Sequence, residues 1–451
     1  MTRSWLAGAI LAASLASAHA AAQQAEPPPE PPVVAGEAPV AAPEPFRFSA
    51  EFKLNFRSSK DLQTPIFTPF PEEDEYGPFT QRTVDPGSSF ELSSLNLRGE
   101  GEITSGVWVR AEVHLLDLYN RNPTSSDDRI FLREAWVRFG GAIEPLRPAS
   151  AHGAYVLLGM APRFTKQLVR HLDSYGLWGT AVGRFEQPQL QVGAGLGRHG
   201  YVKAMVGSGN PLFLRDTNAL AGDNGTPERA PGSPDRTYET GFPILYDAKP
   251  SDLSLGRVEW GLGLGARFER GESSALDVLG WGFGRRLSDS VRIRGSELLG
   301  DIELLRGEGF PLPFEGRRKR EWGINLQGKA GGLRLFGQYV WQDIASLKRR
   351  GYELDLAWLQ PLDGLFLIQQ SPFLNWIQPT VRISSIDTLF SGPRQFPSLS
   401  VLWDWKKYDL GVRLGLVHGV DLTLEYSRHN AVVPRGTVHP DEFLTTLRVG
   451  F

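Results

Sequence analysis

Between Pro162 and Glu186 the chain reads Pro-Arg-Phe-Thr-Lys-Gln-Leu-Val-Arg-His-Leu-Asp, which sets Arg163, Lys166, Arg170, His171 and Asp173 at nearly helical spacing. Side chains of these types can hold anions, because ammonium and guanidinium groups attract carboxylates and phosphates and the arginine fork binds them bidentately. A short helix folded into an enclosed space would let these cations set the field at a constriction. A helix lying on an outer rim fits the same spacing.

A second charged set recurs at alternate positions. Over 256–270, Arg257, Glu259, Gly261, Gly263, Gly265, Arg267 and Glu269 share one parity, against Val258, Trp260, Leu262, Leu264, Ala266 and Phe268. The same alternation places Arg98, Glu100, Glu102, Arg110, Glu112, Arg138, Arg334, Glu353, Asp355, Arg382, Arg413, Asp421, Glu425 and Arg448 on one face of their segments. On a membrane wall this face must look inward, since an Arg or Lys at the lipid midplane costs about 2–4 kcal/mol. Such a ladder is either a solvated wall of mutually neutralising charges or a track for an ionic solute. Its near balance of signs argues against a strong anion selector.

Catalytic arrangements are not apparent. The eight histidines are scattered, no Gly-x-Ser-x-Gly elbow or His-Glu-x-x-His helix occurs, and the chain has no cysteine. His114 beside Glu112 reads as a satisfied inward residue, and Asp409 and Asp421 merely flank a turn. No catalytic residue, metal site or cofactor is expected. A net charge of −3 argues against a nucleic-acid partner.

The elements that must position these charges are strands of period two. The first, 46–57, sends Phe48, Ala50, Phe52, Leu54 and Phe56 one way and Arg47, Ser49, Glu51, Lys53 and Asn55 the other. Others are expected at 91–103, 106–117, 129–139, 153–161, 187–197, 200–207, 256–270 and 274–285. Seven more follow at 320–330, 333–344, 350–360, 376–388, 406–417, 419–430 and 442–451. Each approaches the nine to eleven residues a tilted membrane strand needs. Tight connections at 104–105, 198–200, 271–273, 330–332 and 418–419 alternate with long polar ones at 58–90, 118–128, 162–186, 208–255, 286–319 and 431–441. The expected fold is therefore all-β, a transmembrane antiparallel β-barrel of about sixteen strands with both termini periplasmic; eighteen arise if Leu298–Leu305 joins an extra hairpin. At sixteen strands side chains alone cannot fill the lumen, and water occupies it.

Eight tryptophans, at 108, 136, 260, 281, 322, 341, 358 and 376, lie near strand ends or on outer faces, where an interfacial girdle is the expected role for most. The run Arg317–Arg320 marks a rim that meets surface anions such as lipopolysaccharide phosphates, or simply solvent. The 208–255 connection could be a lid, a surface decoration or disordered.

Residues 1–20 read as a secretory signal peptide, with Arg3, an apolar stretch from Trp5 and Ala18-His19-Ala20 as cleavage site. Residues 21–45, rich in Ala and Pro, form an expected disordered periplasmic leader, and 46–451 the barrel. The final strand, Phe443 to Phe451, alternates and ends on an aromatic, resembling the closing strand of bacterial outer-membrane barrels.

The hairpin of Leu95–Ile103 with Val107–Val113, and Leu132–Phe139 followed by Val156–Arg163, resemble the phosphate-selective porin group, with alginate-export-type barrels as neighbours. The resemblance implies a diffusion channel in the cell outer membrane, often a homotrimer. It also implies an inward loop carrying Arg163, Lys166 and Arg170, and recognition of the C-terminal strand, with Phe451, by the barrel-assembly machinery. Lacking an inward Arg/Lys excess, the chain does not carry the family's phosphate selectivity. The expected function is passive diffusion of small hydrophilic solutes, anionic ones considered, through a lumen narrowed by an inward loop. The alternatives are a structural or adhesion barrel plugged by 162–186 and 208–255, and an outer-membrane hydrolase.

Overall fold

The computed structural model describes residues 46–59, 63–66, 79–82, 87–116, 130–146, 153–167, 169–174, 176–178, 186–209, 237–238, 257–271, 273–287, 318–344, 347–362, 367–368, 371–389, 404–433, 436–439 and 441–451. The signal peptide, the leader, Arg317 and the Leu298–Leu305 segment lie outside the described residues.

Sixteen antiparallel strands close into one ring. They are β1 (Arg47–Ser59), β2 (Gly87–Thr104), β3 (Val107–Leu116), β4 (Ile130–Gly140), β5 (Ala154–Pro162), β6 (Glu186–Leu196), β7 (Gly200–Gly207) and β8 (Glu259–Arg270). The second half comprises β9 (Ser274–Arg286), β10 (Arg318–Ala330), β11 (Leu333–Ile344), β12 (Leu347–Trp358), β13 (Trp376–Thr388), β14 (Trp405–Gly415), β15 (Val420–Val433) and β16 (Glu442–Gly450). Each strand pairs with its neighbours in sequence, and β16 pairs back to β1 from Glu51↔Gly450 to Ser59↔Glu442. Ala50 N donates to Phe451 O at 2.7 Å and Phe451 N to Ala50 O at 3.0 Å, so closure extends to the final residue. A closed ladder leaves no backbone edge for lipid to meet unsatisfied.

Alternation dictates the two faces. In β8, Trp260 and Leu264 are 58% and 63% exposed on the outer wall, while Glu259 and Arg267 of the opposite parity are 0% and 4% exposed. Short turns at one end reverse the chain through left-handed glycines, among them Gly331 (φ 56°) and Gly419 (φ 74°), where a side chain is disfavoured.

Four of the tryptophans depart from the expected girdle. Trp260, Trp322 and Trp358 are exposed on the outer wall, and Trp341 stacks on Trp322. Trp108, Trp136, Trp281 and Trp376 instead face inward. Arg138 lies over Trp108 and Trp136 at 5.4 and 5.8 Å, and Arg413 over Trp376 at 5.7 Å. The indole N–H of Trp136 donates to Glu134 at 3.1 Å and that of Trp281 to Asn325 at 2.8 Å. Polar partners inside outweigh the pull of the interface.

The long connections contribute a small sheet, in which Phe79–Arg82 pairs antiparallel with Gln63–Ile66 and parallel with Thr237–Tyr238. It joins the 58–90 and 208–255 connections. The rest of 208–255, apart from 208–209, lies outside the described residues.

Candidate lumen site

The site is built where strand parity turns charged side chains inward and the segment after β5 meets them. Across β8, β9 and β10, Glu259, Arg285, Lys319 and Glu321 face one another; Lys319 Nζ lies 3.0 Å from Glu259 and 3.1 Å from Glu321. Arg163 enters this cluster one residue beyond β5. Its guanidinium pairs with Glu259 and, at 2.7 Å, with Glu321, and lies 4.4 Å from the centre of the Phe283 ring. Lys166 bridges Glu134 of β4 at 3.3 Å and Glu186 of β6 at 3.1 Å.

Farther along, the segment reaches the other side of the ring. His171 Nδ1 lies 2.9 Å from Asp355 of β12. Asp173 pairs with Arg448 of β16 and, at 3.4 Å, with Lys53 of β1, while its backbone N–H donates to Glu425 of β15. Arg382 of β13 donates to Ser174 O at 3.0 Å and Ser174 Oγ at 2.7 Å, and its Nε meets Asp409 at 2.8 Å. Trp178 N donates to Glu353 at 2.9 Å and its indole N–H to Ser385 O at 2.6 Å. Strand β13 is eight places from β5 in a ring of sixteen, so the segment makes contacts half a circumference from where it starts.

No helix forms among the described residues of 162–186; the backbone runs through turns and bends. The reason is visible in its hydrogen bonds. N–H groups that a helix would use internally are taken by wall carboxylates and a wall hydroxyl: Asp173 and Ser174 by Glu425, Leu177 by Ser384, Trp178 by Glu353. Two inward glycines make room for the segment's apolar side chains. A Cβ on Gly411 would stand 2.6 Å from Leu172, and one on Gly351 would overlap the Trp178 indole.

Of the expected constriction residues, Arg163, Lys166, His171 and Asp173 all bond to the wall. Arg170 turns back on its own segment, donating to Leu172 O at 3.1 Å and Asp173 O at 2.6 Å. Burial alone would push the Asp173 carboxyl up, but Arg448, Lys53 and Arg170 outweigh it and hold it well below the usual carboxylate range.

Among the expected lumen residues, Glu112, Glu259, Arg267, Glu353 and Arg382 are buried. Arg98 and Arg110 each reach Glu112 at 2.9 Å, Arg110 also meets Glu100 at 3.2 Å, and Arg413 forks onto Asp421 at 2.7 and 2.8 Å. Arg138 lies 3.8 Å from Glu144. Arg257 sits in an exposed turn before β8, because that strand starts at Glu259. Arg334 bonds the carbonyls of its own turn, Gly331 and Leu333. The solvated wall expected from parity is thus largely a paired and buried one. Nine buried Lys and Arg face twelve buried carboxylates among the described residues, so neither sign dominates.

Residues beyond those expected are Lys319, Glu321, Leu172, Leu177 and Trp178. Leu177 and Trp178 were legible as an apolar pair in a largely polar connection, and Glu321 by its parity.

No family model matches the sequence, and no curated protein matches it. Solved structures do resemble the fold. OprB of Pseudomonas putida superposes with a TM-score of 0.52 at 11% identity, over 90% of this chain and 94% of that one. The outer membrane channel DcaP of Acinetobacter baumannii gives 0.49 at 9% identity, over 93% and 100%. The fold is that of outer-membrane porins; a phosphate-selective group is not singled out.

Proposed function

We propose that this chain is an outer-membrane diffusion channel for small hydrophilic solutes, with the 163–178 segment as its constriction. One observation carries the reading: a closed sixteen-strand ring turns apolar side chains such as Leu262 and Leu264 outward and charged ones such as Glu259 and Arg382 inward, where they meet the 163–178 segment. In this reading the signal peptide exports the chain, the leader follows in the periplasm, and the barrel-assembly machinery receives β16. Homotrimer formation belongs to the same reading, as does the absence of catalytic chemistry.

Selectivity should be weak. Arg163, Lys166 and Asp173 pair with wall residues and His171 bonds Asp355, while Arg170 donates to the Leu172 and Asp173 carbonyls and lies 3.7 Å from the Asp173 carboxylate. On the outer wall Arg286, Arg318 and Arg320 stand exposed beside Trp260 and Trp322, with Asp343 opposite Arg320 in the ladder. That pairing of aromatic belt and guanidinium suits the phosphates of outer-leaflet lipid.

The deciding experiment is single-channel conductance of the refolded protein in a planar bilayer, with reversal potential under a KCl gradient. Discrete steps with small ion preference are expected. A folded but silent barrel would favour the plugged display barrel, a reading that the burial of so many inward charges also supports.

A further inference from the structure

Beside the constriction lies a cavity of about 240 Å³, bounded by Trp136, Arg138, Tyr155, Gln167, Gln191 and Lys203 among others. Two inserted segments enclose it. One is 163–167; the other is 141–146, the turn after β4, where Ile143 is buried and Glu144 O accepts from Arg267. Two polar groups on this cavity are buried without ordinary partners. Lys203, on β7 between Gly193 and Gly263 in the ladder, is 5% exposed and makes no hydrogen bond or ion pair among the described residues; its ammonium only approaches the Tyr201 ring, at 5.3 Å. Neither Oε1 nor Nε2 of Gln167 has a hydrogen-bond partner there.

Both groups are costly as they stand. A buried ammonium without an acceptor in reach and an unsatisfied buried amide both lose hydration that folding does not return. Asp277 and Glu144 attract Lys203 only from beyond ion-pair distance, and the nearby acids serve closer partners. Glu134 is engaged by Arg110 at 3.0 Å and Lys166 at 3.3 Å, Glu144 by Arg138, and Asp277 by Tyr201 at 2.7 Å and Arg267 at 3.4 Å. An ammonium with no acceptor in reach among the described residues calls for a carboxylate, and an amide offering both donor and acceptor calls for a hydroxyl. The volume falls below the roughly 300–1,000 Å³ of sites for drug-sized ligands. We propose that this cavity binds a small hydroxycarboxylate, with Lys203 meeting the carboxylate and Gln167 the hydroxyl. The inference rests on the channel reading, since the ligand reaches the cavity through the same lumen.

Titration calorimetry of the refolded full chain in micelles tests it, with lactate, its neutral analogue lactamide and inorganic phosphate as probes. Lactate should bind and lactamide should not, and Lys203→Met should weaken lactate at least tenfold in a barrel that still shows heat-modifiable gel migration. Gln167→Leu, which removes no charge, should weaken lactate several-fold. Equal binding of lactate and lactamide, no binding of lactate, or parental affinity in both variants would overturn the site; phosphate binding more tightly than lactate would overturn its assignment to a monoanion. Conductance of the parent is read separately. Steps without lactate binding sink this inference alone, whereas lactate binding by a silent barrel sinks the channel reading alone.

Discussion

Trp178→Ala should loosen the constriction without opening the ring. The Trp178 side chain is 1% exposed, lies under Arg349 at 5.4 Å and donates its indole N–H to Ser385 O at 2.6 Å. Truncating a buried aromatic of this size costs about 3–5 kcal/mol. None of that energy belongs to the ladder, because Trp178 takes no part in strand pairing; it falls on the equilibrium between seated and released segment. At about 1.4 kcal/mol per decade, the released population rises by roughly two to three and a half orders of magnitude. Planar-bilayer recordings should show larger or noisier steps than the parent, and limited trypsin digestion should cut after Lys166 or Arg170 far faster. Folding is checked independently by heat-modifiable migration and circular dichroism. A variant that stays folded with parental conductance, noise and protease resistance would refute the claim that this indole anchors a segment narrowing the lumen.

Arg163→Ala should be more damaging, because it leaves Glu259 and Glu321 sharing Lys319 in a buried cluster; breaking a buried pair costs about 3–5 kcal/mol, read as a lower urea midpoint for loss of the folded gel band. Arg170→Glu should move the reversal potential toward cation preference and, by placing a carboxylate beside Asp173 where a guanidinium now lies 3.7 Å away, lower the segment's trypsin resistance; an unchanged potential would count against a constriction there. The pH response follows from Asp173. Its folded pKa is depressed below the unfolded value of about 3.9, so its stabilisation is present in full above the usual Asp range and is lost only as pH falls through the folded value. Asp173 should therefore contribute no change in trypsin resistance between pH 8 and 5, and a transition in that window abolished by Asp173→Asn would refute this.

The strands were legible because lipid imposes a two-residue period on every membrane-facing segment, and that period is local. The 163–178 segment was not, because its conformation is decided by Glu353 and Glu425, 175 and 252 residues away from Trp178 and Asp173. Cations spaced three and four apart look helical whether or not distant carboxylates claim the backbone N–H groups. The inward tryptophans were legible in principle. Trp108 shares parity with Arg110 and Glu112, and Trp136 with Glu134 and Arg138, yet residue type suggested the interface. Lys203 is a different case. Nothing near it in sequence reports that its ammonium makes no ion pair among the described residues, since that depends on how Arg267, Tyr201 and Arg138 engage the neighbouring acids.

The ion pair between Asp173 and Arg448 ties two distant moments of assembly together. Arg448 lies on β16, whose pairing with β1 seals the ring, and Asp173 lies on the segment inside it. Sealing the seam around an unfilled interior would leave Arg448 with Glu51 and Asp421 and Lys53 with Glu51, but without Asp173. Seating the segment first presents the carboxylate that the incoming strand requires. The seam thus gains further ion pairs, from Asp173 to Arg448 and Lys53, when the interior is already filled.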